Sequence, residues 1–353
     1  MTILRHPLTV LLGAALVTGC APLVSAANAP DRLAGGPAAE GPVIVTAPPY
    51  PRLTLAELRA RYADADSRFM TVRGIDLHYK DEGPRGAPVL LMVHGSQSTL
   101  RTWDAMVARL KDRYRIVRYD VAPFGLTGSI SDAAADGIEP AAIAEDLLTA
   151  LGIPKVTAVG VSSGGTLAMY LAARRPDMVE RLVLSNTPSD PVKTDHLVMP
   201  QAFLDAQARQ KATGFADRDF WDQYLSYFAG DPARIPPAKR AEYYDFNRRA
   251  PEAHLLEGTA RIGDGVQASV EMAKVTAPTL LVWGGADPLL PKAAADAIER
   301  YLSSAPVDRV VMPDVGHYPP LEVPDRFARL MIAWIEAGVP DEAVAGRGRG
   351  AAR

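Results

Sequence analysis

The chain has 353 residues, and its 38 Lys and Arg nearly balance its 41 Asp and Glu, for a net charge of −3 at pH 7. This balance, with a pI near 6.1, gives no electrostatic basis for binding nucleic acid. Hydrophobic residues make up 48% of the chain and can fill a substantial core. The sequence shows no metal-ligand spacing and no nucleotide-binding glycine loop, so we expect no metal and no cofactor.

The first twenty residues are typical of an export signal. Arg5 and His6 precede the apolar run Leu8–Val17, which is too short to span a bilayer as a permanent helix. The run ends in Val17-Thr18-Gly19-Cys20, which is similar to a bacterial lipoprotein box and contains the chain's only cysteine. We therefore predict a signal peptide over residues 1–20 and a lipid on Cys20 that anchors the protein to a membrane on the periplasmic side. Cleavage after Ala26, which would release a soluble secreted or periplasmic protein, is the alternative.

Composition and periodicity divide the remaining chain. A segment rich in Ala, Pro and Gly predicts a disordered tether that ends in a short helix over Leu55–Tyr62. Buried strand patterns then alternate with helices, except in one stretch where only helical patterns occur, at Pro200–Ala212, Asp217–Phe228 and Ala238–Arg249. We predict a tether with a lead-in helix at 21–66, the first part of the core at 67–187, a helical lid at 188–272, the second part of the core at 273–337, and a disordered tail at 338–353.

The pentapeptide Gly160-Val161-Ser162-Ser163-Gly164 follows a β-branched strand pattern over 155–159 and precedes a helical pattern that ends near Arg174. A serine on a sharp strand-to-helix turn, flanked by glycines, is the arrangement called the nucleophile elbow. The turn lifts the hydroxyl clear of the sheet, and the glycines leave room for neighbouring backbone. We predict that Ser162 is a catalytic nucleophile.

A serine hydroxyl needs a base, and the base needs an orienting acid. Asp287 follows the strand pattern Thr279–Trp283, and His317 follows the strand pattern Arg309–Met312. Both therefore fall at the carboxyl edge of the predicted sheet, in the chain order nucleophile, acid, base. Asp190, which follows an earlier strand, is the alternative acid.

The oxyanion of an acyl-transfer reaction needs hydrogen-bond donors. The strand Val89–Val93 runs into His94-Gly95-Ser96, which nominates the backbone N–H of Ser96, and the residue after the nucleophile nominates that of Ser163. His94 is expected to hold this loop by hydrogen bonds. Ligand pockets are mostly apolar, and the aromatic side chains that we place in the substrate pocket are Trp103, Phe124, Trp221 and Tyr224.

Together these motifs resemble the α/β-hydrolase superfamily, in its lidded esterase, lactonase, epoxide-hydrolase and dehalogenase-like branch, over about residues 67 to 336. The resemblance implies an α/β-hydrolase fold, with a mostly parallel sheet, helices on both faces and an inserted helical lid. Two features depart from the family pattern. Dehalogenase and epoxide-hydrolase members carry an Asp nucleophile, whereas this chain has Ser162. The usual Asp-x-Pro-Gly-x-Gly turn reads Asp120-Val121-Ala122-Pro123-Phe124-Gly125 here.

The expected activity is hydrolysis of a carboxylic ester or lactone, with an apolar small-molecule substrate and an acyl-enzyme on Ser162. Hydrolysis of carbon–carbon or amide bonds and acyl transfer use the same Ser-His-Asp constellation, so they remain alternatives. A ligand-binding receptor that retains the triad without turnover is the alternative from another class. The sequence does not define the oligomeric state.

Overall fold

The computed structural model describes residues 51–130, 139, 141–249 and 265–338. The predicted signal peptide, Cys20, most of the tether and nearly all of the tail lie outside these ranges. The described residues form one eight-stranded sheet. Its strands are β1 (Arg68–Val72), β2 (Ile75–Glu82), β3 (Val89–Val93), β4 (Arg115–Tyr119), β5 (Val156–Val161), β6 (Val179–Ser185), β7 (Thr279–Gly284) and β8 (Val307–Met312).

The strands lie in the order β1-β2-β4-β3-β5-β6-β7-β8. The β1–β2 hairpin pairs antiparallel to β4, and all pairs from β4 to β8 are parallel. The central strand β3 places Leu91 opposite Val117 of β4 and Ala158 of β5. Because the strands from β3 to β8 are parallel, the loops that follow them meet at one edge of the sheet, where ligands bind in open α/β folds.

Helices cover both faces of this sheet, which confirms the predicted fold class. Among the described residues, none of the helices combines the length and apolar character that crossing a bilayer requires. The α-helices in these ranges are α1 (Leu55–Tyr62), α2 (Asp104–Leu110), α3 (Ala142–Ala150), α4 (Ser163–Arg174), α5 (Gln201–Thr213), α6 (Arg218–Phe228), α7 (Pro237–Phe246), α8 (Gly265–Met272), α9 (Lys292–Tyr301), α10 (Pro319–Glu322) and α11 (Pro324–Ala337).

The two-residue period of the strands divides the core into two layers. Leu91, Ala158 and Leu281 face one layer, which includes α3, α4, α8 and α9. Met92 and Val282, one residue further along their strands, face the layer formed with α2 and α11. Strands buried on both sides explain why their sequences read as continuous apolar runs.

Helices α5, α6 and α7, which we call the helical insertion, occupy the chain between β6 and β7. Their bounds agree with the three predicted helices to within three residues. Aromatic side chains of α5 and α6 pack on one another and on Tyr318 from the second part of the core. The hydroxyl of Tyr243 on α7 donates to Ser98 Oγ at 2.9 Å, and Asn247 Nδ2 donates to the carbonyl of Gln97 at 2.9 Å. The insertion is therefore seated on the loop that follows β3, while residues 250–264 of the predicted lid lie outside the described ranges.

Candidate active site

Ser162 lies between β5 and α4 in the strained conformation of a nucleophile elbow, with φ 53° and ψ −134°. A non-glycine residue held in such a sparsely populated region costs about 1–3 kcal/mol and persists only when its surroundings fix it. The sheet supplies this restraint, because the Ser162 N–H donates to the carbonyl of Ser185 at 2.9 Å. The first turn of α4 adds a bond from the Gly165 N–H to the carbonyl of Ser162 at 2.8 Å.

Close backbone approach explains the glycines around the elbow. A Cβ on Gly160 would overlap the backbone of Gly164 and Gly165, and a Cβ on Gly164 would overlap the carbonyls at the end of β3. A Cβ on Gly95 would lie 2.8 Å from the Cβ of Ser162. The loop after β3 therefore lies directly against the serine.

Asp287 and His317 are in contact at the same edge of the sheet. The Nδ1 atom of His317 lies 2.7 Å from Oδ2 of Asp287, and both side chains are almost completely buried. The same Oδ2 atom accepts a hydrogen bond from Asn186 Nδ2 at 2.8 Å, and Oδ1 accepts one from the Leu289 N–H at 2.8 Å. Asp287 is thus an oriented carboxylate that presents one oxygen to the imidazole.

Asp190, the alternative acid, makes no hydrogen bond with His317 in the described structure. Its carboxylate accepts hydrogen bonds from the hydroxyls of Tyr301, at 3.0 Å, and Ser189, at 3.2 Å. Asn186 directly follows β6, and its side chain also bonds both backbone groups of Gly284. Sequence reasoning missed Asn186, although a polar residue at the carboxyl end of a buried strand is a usable signal.

The backbone around His317 is fixed from two sides. The His317 N–H donates to the carbonyl of Phe228 on α6 at 2.8 Å. The buried carboxylate of Glu322 accepts the Gly316 N–H at 3.0 Å and the Gly230 N–H, just after α6, at 2.9 Å. Burial raises the pKa of Glu322, although these backbone donors oppose the effect. No pattern in the sequence had pointed to Glu322.

The loop after β3 brings Ser96 against Ser163, and their Oγ atoms lie 2.9 Å apart. In the described part of the chain, neither backbone N–H of these two residues has a hydrogen-bond acceptor. For Ser163 this follows from its place in the first turn of α4, where backbone N–H groups have no partner within the helix. Two unpaired donors next to Ser162 form a site that suits a developing oxyanion.

His94 holds this loop, as expected. Its Nε2 atom accepts the Val121 N–H at 2.8 Å, so the proton lies on Nδ1, which donates to the carbonyl of Gly95 at 2.7 Å. Burial lowers the pKa of His94, in agreement with this neutral form. The bond to Val121 also ties the β3 loop to the unusual turn that begins at Asp120.

Ser162 and His317 make no hydrogen bond with each other among the contacts of the described residues. In ligand-free active sites such bonds are often long or poorly aligned and tighten when substrate binds. Within the same ranges, no three His, Cys, Asp or Glu side chains converge on a point that could hold a metal ion.

The four aromatic residues predicted for the pocket occupy different environments. Trp103 is fully buried in the α2–α11 layer, with its ring centroid 6.5 Å from that of Phe327. Phe124 is half-buried and edge-on to His94 at 6.1 Å. The other two lie in the aromatic core of the insertion, where Tyr224 accepts a hydrogen bond from Tyr318 at 3.2 Å and its ring lies edge-on to Trp221. Their role as pocket residues stays a prediction.

The fold is that of the α/β class of hydrolytic enzymes. Residues 88–324 match the family described as the alpha/beta hydrolase fold, so the chain belongs to this family. It is 27% identical to haloalkane dehalogenase 2 of Mycobacterium tuberculosis, over 72% of this chain and 90% of that protein. It is also 27% identical to the pimeloyl-[acyl-carrier protein] methyl ester esterase of Nitrosomonas europaea, over 71% and 96%. The solved enol-lactonase of Burkholderia xenovorans LB400 has a TM-score of 0.58 and 21% identity, over 76% of this chain and 100% of that one.

Proposed function

We propose that the protein is a serine hydrolase that cleaves carboxylic esters or lactones through an acyl-enzyme. The observation that carries this proposal is the buried contact of 2.7 Å between His317 and Asp287, at the sheet edge that also presents Ser162 on its strained turn. The esterase and the enol-lactonase among the similar proteins support this reaction class. Ser162 occupies the nucleophile position for which dehalogenase members carry Asp, so the similarity to a dehalogenase does not carry that reaction over.

In this mechanism Ser162 Oγ attacks the substrate carbonyl carbon while His317 Nε2 accepts its proton. Asp287 keeps the Nδ1–H tautomer in place and stabilises the imidazolium that forms. The N–H groups of Ser96 and Ser163 donate to the oxyanion, and one such donor contributes about 10²–10³ to kcat. The imidazolium then protonates the leaving alcohol, and water hydrolyses the acyl-enzyme by the same proton transfers in reverse.

The helical insertion serves as the lid in this proposal. It bonds to the β3 loop through Tyr243 and to the His317 loop through Phe228, so it spans two sides of the site. Burial raises the pKa of Tyr243 to about 12, which keeps its hydroxyl protonated and able to donate. An apolar acyl or alcohol group would lie beneath this insertion.

The test combines covalent labelling with turnover. A fluorophosphonate should label Ser162, and the purified protein should hydrolyse p-nitrophenyl esters or lactones within a series of graded chain length. Ser162→Ala should lower kcat by about 10⁴ or more, because triad members act as a unit. Ser303→Ala, at an exposed turn, is the matched control and should keep both properties. Labelling at Ser163, or full activity in Ser162→Ala, would refute the proposal.

A further inference from the structure

We propose that the side-chain hydroxyls of Ser96 and Ser163 form a polar subsite beside the oxyanion hole. This subsite would recognise a hydrogen-bond acceptor on the carbon next to the scissile carbonyl. The inference rests on the proposed function and specifies its substrate class. Its basis is the distance of 2.9 Å between the two Oγ atoms, which brings together a loop after β3 and the first residue of α4.

The hydrogen-bond inventory of this pair leaves one donor unused. Each serine hydroxyl carries one proton and can accept two hydrogen bonds. The contact between Ser96 and Ser163 uses one of the two protons, and within the described ranges neither hydroxyl has a further partner. One O–H group of the pair is therefore available to a ligand.

Both serines of the pair are partly exposed to solvent. Of residues 90–100, Ser96 alone is partly exposed, and of residues 156–173 only Ser162 and Ser163 are. Every other residue in these two segments is buried. The partly exposed residues of these two segments are therefore three serines, one of which is the proposed nucleophile.

The position of the pair defines what it can recognise. Ser96 and Ser163 also carry the two backbone N–H groups assigned to the oxyanion. Their hydroxyls therefore lie next to those donors. An acyl group bound in this hole would place the substituents of its α-carbon close to the hydroxyl pair. The fitting substrates are acyl groups with an oxygen on that carbon, such as 2-alkoxy or 2-oxo acids, in preference to plain alkanoyl groups.

Two esters of matched shape test the subsite. p-Nitrophenyl methoxyacetate and p-nitrophenyl butyrate share a leaving group, and their acyl chains differ by an ether oxygen in place of one methylene. The measured quantity is the ratio of their kcat/KM values, each divided by its rate of hydroxide-catalysed hydrolysis. This ratio cancels changes in folding or in general activity. We expect it to exceed one in the wild-type protein.

The double variant Ser96→Ala/Ser163→Ala should lower this ratio about fivefold to tenfold, the loss expected for one hydrogen bond. Each single variant should lower it less, because the remaining hydroxyl can still donate; the singles serve as the test if the double variant does not fold. Ser303→Ala should leave the ratio unchanged. A ratio that does not fall in any Ser96 or Ser163 variant, while Ser162 is still labelled and butyrate is still cleaved, overturns the subsite and leaves the proposed function intact. A wild-type protein that cleaves neither of these two esters and no other ester or lactone of the graded series overturns both.

Discussion

Replacing Asp287 by Asn is the most direct perturbation of the proposed triad, because it preserves the shape of the side chain while it removes the charge and replaces one acceptor oxygen by an NH₂ donor. Oδ1 of Asp287 accepts the Leu289 N–H, and Oδ2 faces His317 Nδ1 and Asn186 Nδ2. If the new amide keeps its oxygen toward Leu289, its NH₂ group points at His317 and also meets the NH₂ of Asn186. The imidazole must then carry its proton on Nε2, where it cannot accept the proton of Ser162.

The expected cost is about 10⁴ in kcat, with a smaller change in KM, because the wrong tautomer impairs proton transfer and leaves substrate contacts in place. Steady-state hydrolysis of a p-nitrophenyl ester measures this cost, and thermal unfolding verifies that the variant is folded. Asp190→Asn is the matched control and should lose little activity, since that carboxylate faces Tyr301. A larger loss in Asp190→Asn than in Asp287→Asn would refute the assignment of the acid.

Asn186 allows a sharper form of this test. It lies 2.8 Å from the Asp287 carboxylate, at the end of β6. The exchange variant Asn186→Asp/Asp287→Asn returns one negative charge to the same buried pocket. We expect it to recover at least tenfold of the activity that Asp287→Asn loses. No recovery in a folded exchange variant would mean that the carboxylate must touch His317 from the β7 side.

Three further predictions concern the Gly95 turn, the Asp120 carboxylate and the predicted lipid on Cys20. Gly95→Ala should lower kcat/KM by about 10², because the new Cβ would lie 2.8 Å from that of Ser162 and displace the nucleophile. Gly86→Ala is the control and should have no effect, because a Cβ at that position meets open space. Equal kcat/KM values for the two variants would contradict this prediction. Burial alone would raise the pKa of Asp120, but hydrogen bonds from His78 and from backbone N–H groups lower it overall. The resulting stability is present above the unfolded pKa, about 3.9, and is lost as the pH falls through the folded value, so the deficit in Tm of Asp120→Asn at pH 7 should shrink below about pH 4. Cys20→Ser should shift esterase activity from the membrane pellet to the soluble fraction or leave an unprocessed precursor; wild-type protein that is wholly soluble and begins at Ala27 would contradict lipidation.

Local patterns predicted most of the fold because its core strands are buried on both faces. Short continuous apolar runs such as Val89–Val93 and Thr279–Trp283 indicate strands that are buried on both faces, and the observed strands match them closely. The elbow was equally readable, since its glycines are required by backbone contacts that any such turn must make. Where the spacing of apolar residues and the turn residues indicate the same element, the sequence alone is enough to predict that element.

The contacts between distant segments were not readable. Asn186 reaches Asp287 across 101 positions, and Glu322 reaches Gly230 across 92. The pairing of the Ser96 and Ser163 hydroxyls depends on how the loop after β3 packs against the start of α4, which no local propensity encodes. The environments of the four aromatic residues placed in the pocket could not be predicted for the same reason. Trp103 satisfies the pattern of a pocket residue and of a core residue equally, and only the packing against Phe327 distinguishes its surroundings.

Glu322 shows how the insertion bears on the chemistry of the site. Its carboxylate joins Gly230, just after α6, to Gly316, just before His317, and the bond from His317 to Phe228 runs in parallel. Arg234 adds an ion pair with Asp314 of the same loop at 2.7 Å. These bonds attach the end of α6 to the backbone of the proposed base, so this part of the insertion cannot lift away without displacing His317. Helix α7 is also tied to the core, since Glu242 pairs with Arg101 and Asp245 accepts a hydrogen bond from the Tyr62 hydroxyl. Any opening that preserves the Asp287–His317 pair at low cost must therefore occur elsewhere in the insertion, at α5.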